Sequence, residues 1–227
     1  MAPVNRSQSR AERAAVTRRR MLDSAGSLFV SQGYASTTMA QIATRADVAV
    51  QTLYYTFQTK GKLLIEVVEV AGAGGESEPV PVPQRAWHRQ MLASSSAQRI
   101  LALAVEHGTE IYERVAHLWP ALAEAVSDPD VARYWEGVGT GRRNAQRSQV
   151  FRLADLGALK PGLDIERAAD LHLLLAGHAP YRALVQEAGW PSVEYRAWLF
   201  TSLVQQLLAA TAIEPEAVAD LSFADRV

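Results

Sequence analysis

The segment "VAVQTLYYTF", residues 48–57, gathers Gln51, Thr52, Tyr54 and Tyr55 around a narrow apolar stripe of Leu53 and Phe57. These side chains recognise rather than react. Gln pairs with adenine edges, Thr offers a methyl to thymine or a hydroxyl to either partner, and a Tyr hydroxyl donates to phosphate. A helix that buries so narrow a stripe keeps most of its surface for a partner outside its own domain. Tyr54 taken alone reads two ways, as a phosphate donor or as a half-buried core residue. Thr38 and Lys60 stand at the starts of neighbouring helices, where phosphate is favoured.

Covalent and metal chemistry have little to stand on. The chain has no cysteine, which excludes disulfides, thiolate catalysis and cysteine-bearing zinc or iron–sulfur sites, and which fits a reducing cytoplasm. His172 and His178 are six apart and share no helical face, so no metal site is expected. "GTGRR", residues 139–143, lacks the rest of a phosphate-loop pattern, and Ser94, Ser95 and Ser96 lack the glycine setting of a hydrolase nucleophile. No catalytic residue and no cofactor are expected. No apolar run approaches the roughly 18 residues of a membrane span, and the basic N-terminus has no apolar stretch behind it to make a secretory signal.

The elements that position the polar segment can be read from periodicity. Met21, Leu22, Ala25, Leu28 and Phe29 form one apolar stripe, and Gly33 ends that helix. Ser36, Thr37 and Thr38 are cap types before a short helix with Met39, Ile42, Ala43 and Ala46. "DVAV" is a turn, the polar segment is a second short helix, and Thr59 caps a third that buries Leu63, Leu64, Val67 and Val68. A short helix, a tight turn and a second short helix make a helix-turn-helix. Residues 1–62 hold nine Lys or Arg against three acids, a net +6, and the other residues hold 14 against 21, a net −7. A basic head on an acidic body suits a polyanion partner, although a solvated Arg-rich tail would give the same split.

The expected fold is all-α, with about nine helices and no strand pattern or internal repeat. Residues 1–12 read as a disordered basic arm, 13–70 as a helix-turn-helix DNA-binding domain and 71–84 as a Gly/Pro-rich linker. Residues 85–215 read as a larger helical domain and 216–227 as a tail. Helices in that domain are expected near 85–94, 97–117, 120–126, 128–156, 164–188 and 192–212.

The run "RRRMLDSAGSLFVSQGYASTTMAQIATRADVAVQTLYYTFQTKGKLL" resembles the N-terminal DNA-binding domain of the tetracycline-repressor (TetR) family of bacterial transcription regulators. The shared parts stand in order: an A-x-x-L-F helix end, G-Y, T-T-M-x-x-I-A, the A-x-V turn, T-L-Y-x-x-F and K-x-x-L-L. The resemblance covers about residues 15–68. It implies a homodimer with one recognition helix per subunit, and a ligand in the C-terminal domain that changes the separation of the two heads. It also implies that Thr38 is a phosphate-binding cap, that Gln51 and Thr52 read bases, that Tyr54 is the motif tyrosine and that Lys60 opens the fourth helix. The residues expected on a double-stranded operator are therefore Thr38, Ala49, Val50, Gln51, Thr52, Tyr54, Tyr55 and Lys60. Three positions depart from the family pattern: Asp47 for a turn Gly, Ala49 for a capping Ser, and Thr56 for a common His. Asp tolerates the left-handed backbone a turn Gly would adopt.

The body carries apolar excess. Residues 164–188 and 192–212 are apolar on more than one face, Trp198, Leu199, Leu203, Leu207 and Leu208 among them, and two such helices suit a four-helix dimer interface. A single well-buried pair in a monomer would show the same pattern. His107, Ile111, Tyr112, Trp119, Trp135, His172 and His178 are candidates to line a pocket for an apolar or aromatic small molecule. The expected function is a ligand-responsive regulator, most often a repressor, that binds a pseudo-palindromic operator. The alternatives are a dimeric architectural protein without ligand and a small helical enzyme.

Overall fold

A computed structural model describes residues 6–74 and 80–213. Among the described residues the chain is helical, with one isolated antiparallel bridge between Leu159 and Leu208. In chain order the helices are α1 (Arg6–Ser36), α2 (Met39–Arg45), α3 (Val50–Phe57), α4 (Lys60–Gly72), α5 (Ala86–Ala93), α6 (Ala97–Val115), α7 (Trp119–Glu124), α8 (Pro129–Asp155), α9 (Ile165–Leu175), α10 (His178–Tyr181) and α11 (Ser192–Leu207). Nine of them run seven residues or longer, as the all-α expectation required.

Three boundaries differ from expectation. Helix α1 already begins at Arg6, so residues 6–12 are helical rather than an arm; residues 1–5, 75–79 and the tail 216–227 lie outside the described residues. The single helix expected at 164–188 breaks after Leu175. Pro180 has no N–H for the Ala176 carbonyl, so a continuous helix would leave that carbonyl without its intrahelical donor. The Tyr112 hydroxyl supplies one instead, at 2.9 Å. Helix α11 stops at Leu207 because Leu208 turns extended and bridges Leu159.

The chain divides into two compact units. The first comprises Met1–Pro79 and Arg114–Gly137, the second Val80–Glu113 and Val138–Val227. The division is not the sequential one expected at the linker. In the first unit, Met21, Leu22, Ala25 and Phe29 of α1 pack with Ile42, Leu53, Phe57, Leu63 and Leu64, and Leu118, Leu122 and Val131 complete the same core.

Carboxylates explain why residues 114–137 belong there. Asp128 accepts from the Tyr34 hydroxyl at 2.7 Å, Asp130 from Thr59 at 2.7 Å, and Glu124 from the Ala35 N–H at 3.0 Å. Two glycines make room for them. A Cβ on Gly33, whose φ is +81°, would lie 2.6 Å from Glu124 Oε1, and one on Gly61 would lie 2.4 Å from Asp128 Oδ1. Burial and then the hydrogen bond to Asp128 raise the pKa of Tyr34 above its ordinary value.

The second unit is built from α5, most of α6, the later part of α8, and α9 to α11. Its core includes Met91, Ile100, Leu101, Val150, Leu153, Leu199 and Leu203, and α9 packs on α11. The leucine excess near α11 is thus largely spent inside the chain itself: Leu199, Leu203, Leu207 and Leu208 are all buried. The large apolar side chains left exposed in this unit include Phe151 and Leu174.

Candidate nucleic-acid interface

The helix-turn-helix is built from reciprocal caps. Thr38 accepts from the Gln41 N–H at 3.2 Å while Gln41 Oε1 accepts from the Thr38 N–H at 2.8 Å, a capping box that starts α2. Helix α2 ends at Ala46, and Asp47 follows with φ +49°, the left-handed backbone for which the family pattern uses glycine. The Val48 N–H returns to the Ala43 carbonyl at 3.0 Å, and Arg20 Nη2 donates to the Asp47 carbonyl at 3.1 Å. Ala49 then caps α3 through its backbone alone.

Helix α3 separates its side chains by face. Leu53 and Phe57 are buried, and Val50, one turn before Leu53, is half-buried against the same core. Gln51, Thr52, Tyr54, Tyr55 and Gln58 are exposed, Tyr54 by 50% and Tyr55 by 91%. Gln51, Tyr54 and Tyr55 stand at i, i+3 and i+4, so they form one polar stripe, and Gln58 follows the helix and accepts from Lys62 Nζ. Tyr54 is therefore not a core residue. The guanidinium of Arg18 lies 5.0 Å over the Phe57 ring and pairs with Glu66, which holds the inner face of α3 in place.

Two expected contacts change. Val50 faces the core and not the partner. Lys60 is committed inside the protein: its ammonium donates to the Tyr34 carbonyl at 2.8 Å and the Thr37 carbonyl at 2.9 Å, and lies 4.1 Å from the Tyr34 ring centroid. The Tyr34 carbonyl, in the last turn of α1, also accepts from the Thr37 N–H at 3.2 Å, and Thr37 follows α1, so Lys60 ties the end of α1 to the start of α4. Burial lowers the pKa of Lys60, against the raising pull of Asp128 and Glu124. Gln58 is a residue the sequence reading missed. Its place one heptad after Gln51 was the available signal, hidden because it lies beyond the last helical residue with φ +67°.

A profile of bacterial regulatory proteins of the tetR family matches residues 21–67, the segment just described. Over that segment the chain is similar to the tetR family. No curated protein matches its sequence. Among solved structures it is similar to SmeT, the repressor of the Stenotrophomonas maltophilia multidrug efflux pump SmeDEF, with 18% identity over 88% of this chain and 95% of that one and a TM-score of 0.63. It is also similar to a SmeT–triclosan complex, with 17% identity over 89% and 97% and a TM-score of 0.68. A third is FadR from Bacillus subtilis in complex with stearoyl-CoA, with 17% identity over 82% and 96% and a TM-score of 0.62. At these identities the likeness shows a shared fold over most of the chain and no more.

The candidates for a pocket fall in different places. Trp119 and Trp135 belong to the first unit, where both are partly buried against its core. Their aromatic size drew attention, but it serves packing. His107 stacks on Trp87, with centroids 4.6 Å apart, and meets Glu110 at 3.2 Å. Ile111 is half-buried. Tyr112 stands with its ring 5.6 Å from that of Tyr181. His178 keeps much of its surface exposed, and the partial desolvation of its ring, then Arg142 and Arg182, lower its pKa. His172 is 2% exposed, neither ring nitrogen has a partner, and burial alone lowers its pKa to about 4. No group of three or more His, Cys, Asp or Glu able to hold a metal ion occurs among the described residues.

Proposed function

We propose that the chain is a transcription regulator that reads double-stranded DNA as a homodimer and is released from a pseudo-palindromic operator by a small molecule. The observation that carries this reading is the exposed stripe Gln51–Tyr54–Tyr55 of α3, set opposite buried Leu53 and Phe57 within the segment that matches the tetR family. Gln51 and Thr52 contact base edges, Tyr54 and Tyr55 reach phosphate or sugar, and Thr38 and Ala49 present the starts of α2 and α3 to the backbone. Exposed Phe151 on α8 and Leu174 on α9 support a second copy packing on the second unit. The similar proteins SmeT and FadR were solved with triclosan and stearoyl-CoA, which supports a small-molecule effector here. No helix among the described residues is long and apolar enough to cross a membrane, in keeping with a cytoplasmic regulator.

The test is selection of bound fragments from random double-stranded DNA by the purified full chain, read by sequencing at physiological salt. A two-fold symmetric site is expected, and Gln51→Ala is expected to relax preference at one position in each half-site. A folded protein that enriches no site in the absence of small molecules would overturn the reading.

A further inference from the structure

The interior of the second unit holds polar side chains that nothing in the protein satisfies. The Tyr195 hydroxyl is buried without a hydrogen-bond partner, as are Thr109 Oγ1, Gln146 Oε1 and both ring nitrogens of His172. Native proteins satisfy most such groups, so several together point to a partner that is not protein. Four helices contribute them, α6, α8, α9 and α11, and helical register gathers them. Thr109 lies one turn before Tyr112, Gln146 one turn after Arg142, and His172 one turn before Ala176, which accepts from Tyr112.

Arg142 marks the charge of the missing partner. The other arginines of α8 in this unit are paired: Arg143 with Asp170, Arg147 with Glu166 and Arg152 with Asp155. Arg142 is half-buried and has no acidic or hydrogen-bonding partner among the described residues. Its guanidinium lies 5.7 Å from the Tyr112 ring centroid, and its Nη2 lies 3.7 Å from where a Cβ on Gly177 would stand. The end of α9 lends that position a partial negative charge but accepts no hydrogen bond from it. The rings of Tyr112, Tyr181 and Tyr195 adjoin, with successive centroids 5.6 and 5.2 Å apart. An unpaired guanidinium and a buried phenol donor beside adjoining aromatic rings form a receptor for a planar anion.

We infer that the effector is an aromatic anion, its acidic group held by Arg142 and the Tyr195 hydroxyl and its ring against Tyr112 and Tyr181. This rests on the reading of the second unit as an effector domain. The probes are 2-naphthoate and its uncharged counterpart 2-naphthamide, titrated calorimetrically into the full chain. Naphthoate is expected to bind the more tightly. Arg142→Gln should weaken naphthoate about tenfold or more while changing naphthamide less than about threefold. Tyr195→Phe keeps the ring, removes only the hydroxyl and should weaken naphthoate severalfold, which keeps the test decisive if Arg142→Gln does not fold. Equal binding of the two probes, or naphthoate binding untouched by both substitutions, overturns the anionic class and leaves the effector domain standing. Binding of neither probe to the folded wild type overturns both. The DNA selection stands apart from these outcomes, so failure of operator reading is seen separately.

Discussion

Helix α3 and the interior of the second unit both concentrate polar side chains, but in opposite senses. On α3 the polar groups point outward and the apolar ones inward. Inside the second unit Tyr195, Thr109, Gln146 and His172 are buried and unpartnered. Exposed polar groups lose nothing by lacking a protein partner, because water satisfies them until a macromolecule replaces it. Buried ones carry a desolvation cost of roughly 1–3 kcal/mol each unless something binds them. The first surface can therefore be fully built before its partner arrives, whereas the second stays incomplete until something occupies it.

The largest expected effect lies within α3. Leu53→Ala should destabilise the protein by about 3 kcal/mol in a denaturant titration, because Leu53 is 0% exposed and its removal leaves a cavity. Tyr55→Ala, two residues on, should stay within about 0.5 kcal/mol of wild type yet lose DNA affinity. Equal losses of stability would mean that the two faces of α3 are not separated as described.

Next in size is the seat of Asp128. Gly61→Ala places a methyl against Asp128 Oδ1, while the same carboxylate holds Tyr34. A loss of about 2 kcal/mol is expected. Asp128→Ala should cost stability by itself but recover much of the Gly61→Ala penalty, so a double-mutant cycle should be non-additive. Additivity would show that the glycine's smallness is not what seats Asp128.

In the second unit the sharpest handle is pH. The imidazole of His172 titrates near 4 when folded and near 6.5 when unfolded, so the native state binds the proton more weakly. Its contribution is complete above about pH 6.5 and is lost as pH falls towards 4. From about pH 7 to about pH 5 this amounts to roughly 2 kcal/mol. Glu66 and Glu69 have raised pKa values, chiefly from burial, and act in the opposite sense, so the comparison must be made between variants. His172→Leu should remove most of the acid loss seen in the wild type. An unchanged acid slope in that variant would place the loss elsewhere.

The same contrast explains what could be read from the sequence. Local rules governed the head. Ser36, Thr37 and Thr38 announced a cap, Asp47 fitted a left-handed turn, and the Leu53–Phe57 spacing announced which face goes in. The second unit depends on pairings between distant residues. Nothing near Arg142 in the chain shows that it lacks an acid while Arg143 finds Asp170. Likewise the break after Leu175 was marked by Pro180, but the donor that makes it tolerable is Tyr112, 64 positions from Ala176. For Trp119 and Trp135 size signalled burial without saying in which unit.

The smallest effect concerns Lys60, where local and long-range rules compete. Its position at the start of α4 suggests a phosphate contact, but its ammonium already serves the Tyr34 and Thr37 carbonyls. Lys60→Met keeps much of the aliphatic stem and removes the donors, so stability should fall by about 1–2 kcal/mol. DNA affinity should fall only as far as α1 and α2 lose their mutual position, with the dependence of log affinity on log salt preserved. One lost phosphate contact in each head would instead flatten that slope by about 0.9 per contact. A flattened slope with unchanged stability would return Lys60 to the DNA. A preserved slope with lower stability would fix it as the residue that joins the end of α1 to the start of α4, beneath the helix-turn-helix it supports.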